Sequence, residues 1–139
     1  MKKVYLGGTR NNSTWRNKMM TYLHEKEIGW FNPVVSNWTE TDVAQEIQER
    51  ETCDFALYVI TPKMTGVYSI AEVVDDSNKR PNKTVMVLLR DDEKLRFSEE
   101  QWKSLCAAAR IVARNGGKVF ENLESASEYI GANSKKVKK

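Results

Sequence analysis

Histidine is almost missing from this 139-residue chain, and cysteine is scarce: one His and two Cys. Cys53 and Cys106 lie far apart beside apolar residues, and neither belongs to a CxxC pair. Zinc ligation and a disulfide framework are therefore set aside, and both thiols are expected reduced and buried. The lone His24 sits among Glu25, Lys26 and Glu27 and reads as a surface residue. No apolar run reaches the ~18 residues of a membrane helix. The opening Met1-Lys2-Lys3-Val4-Tyr5-Leu6-Gly7 lacks the apolar stretch and cleavage site of a secretory leader, so a cytoplasmic protein is expected. Charge of one sign is also wanting. The net charge is +3, but four lysines (135, 136, 138 and 139) crowd a terminal tail, and without them 18 basic residues face 19 acidic ones. A nearly neutral body excludes nucleic-acid binding as the main role, and no membrane partner is expected.

What remains is an ordinary globular balance, with 40% hydrophobic and 29% charged residues, enough for one domain over residues 1–132 followed by a basic tail over 133–139. Residues 3–6 alternate as a β-strand does, and Gly7-Gly8-Thr9 ends the strand. Ser13-Thr14 is placed to cap a helix to about Glu27 with Trp15, Met19, Tyr22 and Leu23 on one face, closed by Gly29. Trp30-Phe31 forms a short strand that stops at Asn32-Pro33. Thr39 and Asp42 have capping-box spacing for a helix to about Thr52. Its apolar face is Val43, Ala44 and Ile47, with Glu46, Glu49, Arg50 and Glu51 toward water. Phe55–Ile60 and Thr84–Leu89 are continuous apolar runs, as expected of strands covered on both faces. Between them Ser69 and Glu72 have capping-box spacing for another helix, with Asp75 and Asp76 forming a solvated patch balanced by Lys79 and Arg80. After a charged turn at 91–96, a helix over 98–113 presents Trp102, Leu105, Ala109 and Val112. A strand at Lys118–Phe120 and a helix from Leu123 to Ile130 complete the chain.

Strict alternation of strands and helices predicts an α/β fold, a flavodoxin-like, doubly wound, five-stranded parallel sheet in three αβα layers. In that fold ligands sit at the carboxyl ends of the strands, at the point where strand order reverses. The loops after Leu6 and Ile60 should then line the site. In the first, Gly7 and Gly8 let backbone approach a ligand, and the following helix start offers N–H groups to an anion. Neither GxGxxG nor a P-loop pattern is present. In the second, Glu72 falls near the start of a helix aimed at the site, where a glutamate commonly serves as a cap or dipole partner.

Three segments resemble those of nucleoside 2-deoxyribosyltransferases: Lys3–Thr9, Asp54–Ile60 and Gly66–Glu72. Ser13-Thr14-Trp15-Arg16, Phe31–Val35 and Tyr68–Ser77 are similar to runs of the short phage and bacterial group of nucleoside 2-deoxyribosyltransferase-like proteins. The resemblance covers about residues 3–112. It implies a flavodoxin-like fold, no cofactor and no metal. It implies a glutamate nucleophile at Glu72, a tyrosine near it at Tyr5, and an aspartate near base or sugar at Asp54. Substrate contacts are expected from Gly7, Gly8, Thr9, Asn32, Gly66 and Ser69. Trp38, Phe31 and Tyr68 are candidates to stack on a base. Arg10, Ser13 and Arg16 are candidates to hold a 5′-phosphate. The better-known transferases carry an acidic residue in the loop before the glutamate. Here that loop reads Lys63-Met64-Thr65, so the proton donor for the leaving base is open, with Asp54 or water as substitutes.

The expected partner is a small nucleoside or nucleotide, and the expected assembly a homodimer or higher oligomer. The expected chemistry is cleavage of the N-glycosidic bond through a glycosyl-glutamate intermediate, with transfer to a second base. Hydrolysis of a nucleoside 5′-monophosphate, or a non-catalytic nucleotide-binding module, are the alternatives.

Overall fold

The computed structural model describes residues 2–34 and 39–134. The elements run β1 (Lys3–Gly8), α1 (Trp15–Glu25), β2 (Gly29–Phe31), α2 (Glu40–Thr52), β3 (Phe55–Ile60), α3 (Tyr68–Lys79), a 3-10 turn (Pro81–Lys83), β4 (Thr84–Leu88), β5 (Asp91–Asp92), β6 (Leu95–Arg96), α4 (Glu99–Arg114), β7 (Lys118–Phe120) and α5 (Leu123–Ser134). Five strands pair in the order β2-β1-β3-β4-β7, every pair parallel. This is the expected flavodoxin-like order. The charged turn contains a small antiparallel hairpin, β5–β6, with Glu93 at φ 56°.

Strand alternation sorts the apolar side chains into two cores. Val4, Leu6, Leu57, Val59, Val85 and Val87 meet Trp15, Met19 and Leu23 of α1 and Ala126 and Ile130 of α5. Tyr5, Ala56, Tyr58, Ile60, Met86 and Leu88 point to the other face, onto Val73 of α3 and Leu105, Ala109 and Val112 of α4. All six residues of β3 are buried, which explains why that strand reads as an uninterrupted apolar run.

Several local expectations are corrected. Helix α1 has no side-chain cap at Thr14. It closes at Lys26, where the Ile28 and Glu27 amides donate back to the Leu23 and His24 carbonyls, with Glu27 at φ 59°. That is a Schellman ending with Glu27 in the left-handed position, and Gly29 opens β2 instead. Helix α3 starts at Tyr68 with Val67 as N-cap and no side-chain cap, so Ser69 and Glu72 form no capping box. Glu72 therefore stands in the second turn. The box at Thr39–Asp42 does form. Helix α5 continues through Ser134, so residues 133 and 134 are helix, not tail. Residues 135–139 lie outside the described residues.

Helix α2 reverses its expected orientation. None of its residues is buried, and Val43 and Ile47 are 47% and 50% exposed. Glu46, Glu49 and Arg50 face the protein instead: Glu46 accepts from the Tyr5 hydroxyl, Glu49 from the Lys3 ammonium, and Arg50 bonds Asp75 and Asp76 of α3. Among the described residues no helix is long and apolar enough to cross a membrane.

Candidate functional site

The two loops at the reversal point are stitched together by hydrogen bonds. Thr9 is buried; its amide donates to the Val59 carbonyl and its hydroxyl accepts from the Thr61 amide. Gly8 has φ +118°, and a Cβ there would lie 2.1 Å from the Val59 carbonyl oxygen, so only glycine lets β1 run this close to β3. Asn11 donates to the Lys63 carbonyl and the Thr65 hydroxyl, and the Lys63 ammonium reaches back to the Asn12 carbonyl. The acid-free segment Lys63-Met64-Thr65 is thus the strap that fixes the first loop.

Between these loops and α3 opens a cleft of about 370 Å³, within the ordinary size of a small-molecule site. Tyr5, Gly7, Gly8, Thr9, Arg10, Arg16, Gly66, Tyr68, Ser69 and Glu72 line it, together with Asn11, Pro33, Ile60, Met64 and Glu46. Ten of the proposed site residues are therefore neighbours in space.

Glu72 is 8% exposed, and the Arg50 guanidinium stands 3.5 Å from its carboxylate. Burial pushes its carboxyl up from 4.5 to about 7; Arg50 opposes this, while Glu46 and Asp76 add to it. Arg50 also holds Asp75 and Asp76 at 3.0 Å each. Asp76 is wholly buried and takes further bonds from the Tyr58 hydroxyl and Arg80. The expected solvated patch at 75–76 is thus half wrong: Asp75 pairs with Lys79 near the surface, whereas Asp76 anchors an interior network.

Tyr5 is in the cleft, but its hydroxyl donates to Glu46 at 2.9 Å. Burial, with Glu46 and Glu72 adding, holds that phenol far above its usual range, so it remains a neutral donor. Its ring stacks on Phe31, whose centroid is 6.1 Å away, so Phe31 supports Tyr5. Tyr68 stands at the mouth, 72% exposed. Arg16 is 6% exposed and gives its N–H groups to the carbonyls of Leu6, Gly8 and Thr9. Among the described residues it pairs with no carboxylate, and burial lowers it to about 10.

Three expected residues lie elsewhere. Asp54 precedes β3 at its amino end, where it accepts from the Lys3 amide and sits 3.7 Å from the Lys2 ammonium. Six residues of strand put it roughly 20 Å from the cleft at the carboxyl end, so it neither touches nor protonates a ligand there. Ser13 turns to the hairpin and bonds Asp92 at 2.6 Å. Asn32 is exposed and accepts from the Val34 amide in a local turn, while Pro33 beside it lines the wall. Trp38 lies outside the described residues. Sequence reasoning missed Glu46, Asn11 and Arg50. For Glu46 and Arg50 the signal was a polar stripe at 46, 49 and 50, at the spacing of a packed helix face.

The fold is a parallel flavodoxin-like α/β sheet with a buried glutamate in the cleft at its reversal point, the place where such folds bind ligands. Residues 1–92 match the family described as nucleoside 2-deoxyribosyltransferase like, and the chain belongs to that family. The match takes in β1 to β4, α3 and Glu72. A comparison with curated proteins returns no significant match.

Proposed function

We propose that this protein cleaves the N-glycosidic bond of a (deoxy)nucleoside and transfers the sugar to a second base, with Glu72 as the attacking carboxylate. The observation that carries this reading is a buried glutamate in the wall of a sugar-sized cleft, with the Arg50 guanidinium 3.5 Å from its carboxylate. As the C1′–N bond breaks, positive charge grows on the sugar. A carboxylate beneath C1′ stabilises it and then bonds to it, giving a glycosyl-enzyme intermediate. A second base or water attacks from the side the first base left, so configuration is retained. Arg50 keeps Glu72 oriented and favours its ionised form; Asp75 and Asp76 keep Arg50 in place.

Incubation with a deoxynucleoside and a second free base tests this. A new nucleoside means transfer, and free base with free sugar means hydrolysis. Glu72→Ala should abolish both with the fold intact; unchanged turnover removes Glu72 from the mechanism.

A 5′-monophosphate as substrate is the second reading. It is favoured by Arg16, a buried cation in the cleft wall with no carboxylate ion pair among the described residues, beside Gly8 and Thr9. A lower KM for the nucleotide than for its nucleoside supports that reading, and equal values reject it.

A further inference from the structure

We propose that Glu46 is the proton donor and acceptor for the base, and that the base lies in the apolar pocket beside it between α2 and α3. This rests on the glycosyl-transfer reading of Glu72 and extends it to the half of the substrate that Glu72 does not touch.

The pocket, about 240 Å³, adjoins the main cleft and shares Arg10, Glu46, Tyr68 and Glu72 with it. The two differ in their remaining walls. The main cleft adds Gly7, Gly8, Thr9, Asn11 and Arg16, backbone and polar groups suited to sugar hydroxyls, beside an apolar wall of Pro33, Ile60 and Met64. The side pocket has Val43, Ile47 and Arg50, of which Val43 and Ile47 offer apolar surface to the flat face of a ring. A nucleoside is divided in the same way, and the bond to be broken joins its two halves. Glu72 and Glu46 stand where the two pockets meet. This also accounts for α2, which leaves Val43, Ile47 and nearby Tyr68 largely open to water. A bound base would cover them.

Glu46 and Glu72 are the only carboxylates among the described residues that line either pocket. One oxygen of Glu46 accepts from the Tyr5 hydroxyl, which fixes the side chain. Its other oxygen has no hydrogen-bond partner among the described residues. The first step requires the proton on Glu46 and Glu72 as the anion: that proton goes to a base nitrogen while the C1′–N electron pair retires onto the base. A Glu72 oxygen forms the C1′–O bond. In the second step the incoming base nitrogen, or water oxygen, bonds to C1′ and the C1′–O bond to Glu72 breaks. The attacking group's proton passes to the Glu46 carboxylate, which restores the starting state.

The test compares leaving groups that need a proton with those that do not. The substrates are the natural deoxynucleosides, 7-methyl-2′-deoxyguanosine and 4-nitrophenyl 2-deoxyriboside. The last two release a neutral base and a stable phenolate without protonation. Glu46→Gln keeps the side chain's shape and its acceptor for Tyr5, and thermal melting checks the fold. The expected result is a loss of about 100-fold or more in kcat/KM on the best natural substrate, with a loss below about fivefold on an activated one. Glu72→Gln should lose both alike. Equal losses with Glu46→Gln on both kinds of substrate, or no loss on either, overturn Glu46 as proton donor. Acceptance of natural substrates but of neither activated probe overturns it as well. Wild-type protein that processes none of these substrates rejects the glycosyl-transfer reading itself, and this inference falls with it. For the base pocket, Ile47→Asp at its exposed position should raise KM for every natural nucleoside at least tenfold. An unchanged KM overturns the placement of the base.

Discussion

Replacing Glu72 by glutamine should make the protein more stable, and the gain should appear only as pH rises. The side chain is 8% exposed, and burial lifts its carboxyl from 4.5 to about 7. Below pH 4.5 folded and unfolded chains both hold the proton, and the group contributes no difference. Between 4.5 and 7 the unfolded chain loses its proton while the folded chain keeps it, so stability falls with rising pH. Above 7 the folded protein carries a buried anion. A displacement from 4.5 to about 7 corresponds to about 3 kcal/mol at about 1.4 kcal/mol per pH unit. That is a large part of the roughly 5–15 kcal/mol that holds a domain of this size together. Glutamine has the size of the protonated side chain and never ionises. Urea unfolding of both proteins at pH 4.5, 6, 7 and 8.5 reads the difference directly. The curves should coincide at the acid end and separate by about 3 kcal/mol at pH 8.5 in favour of Gln. A constant difference across pH, or a less stable Gln protein at pH 8.5, would refute the burial argument. The same titration sets the acid limb of kcat/KM near pH 7, because the attacking carboxylate must be ionised.

Further outcomes follow from the same geometry. Arg50→Met removes the guanidinium 3.5 Å from Glu72, the larger of two charges that lower its carboxyl, so the acid limb of kcat/KM should move to higher pH, read from a pH–rate profile. The same change should also cost stability, because buried Asp76 loses one of its bonds, worth about 1–3 kcal/mol by denaturant titration. Tyr58→Phe removes another donor to Asp76 and should cost about 1–3 kcal/mol without moving that acid limb strongly. Gly8→Ala sets a Cβ 2.1 Å from the Val59 carbonyl oxygen at φ +118°; a loss of about 3 kcal/mol or failure to fold is expected in a thermal melt. Because α2 is held by charged and polar contacts, added salt should speed hydrogen exchange of its amides while those of β3 stay protected.

The sheet was legible because β3 and β4 are buried on both faces and write that into the sequence as apolar runs, while β1 shows alternation before its glycines. Their order followed from strand–helix alternation. Glu72 was legible too, though for an incomplete reason: its distance from Ser69 signals a cap that does not form, since the helix already begins at Tyr68. Asp54 was misplaced against a rule that was in hand. In a parallel sheet ligands gather at the carboxyl ends, and Asp54 precedes its strand. The orientation of α2 was hidden because periodicity assumes that the apolar stripe is the buried one. Here the stripe of Glu46, Glu49 and Arg50 faces inward, and it finds partners on β1 and α3 that are far away in sequence. Asp76 was hidden for the same reason: its partners Tyr58, Arg50 and Arg80 come from three elements.

These two kinds of error share a cause that bears on how the site is built. The apolar cores need only β-strands and the inward faces of α1, α3, α4 and α5. Helix α2 adds no buried residue to them, yet it supplies Glu46 to the cleft and Arg50 to Glu72. An inward charge on such a helix needs partners to offset its desolvation, and the partners are the cleft's own groups, Tyr5 and Glu72, together with the aspartates behind them. The helix is thus held in place by the same contacts that orient the cleft's polar groups. Substitutions along its inward stripe should disturb the cleft before they disturb the sheet. Its Val43 and Ile47 belong to neither core and line the side pocket instead.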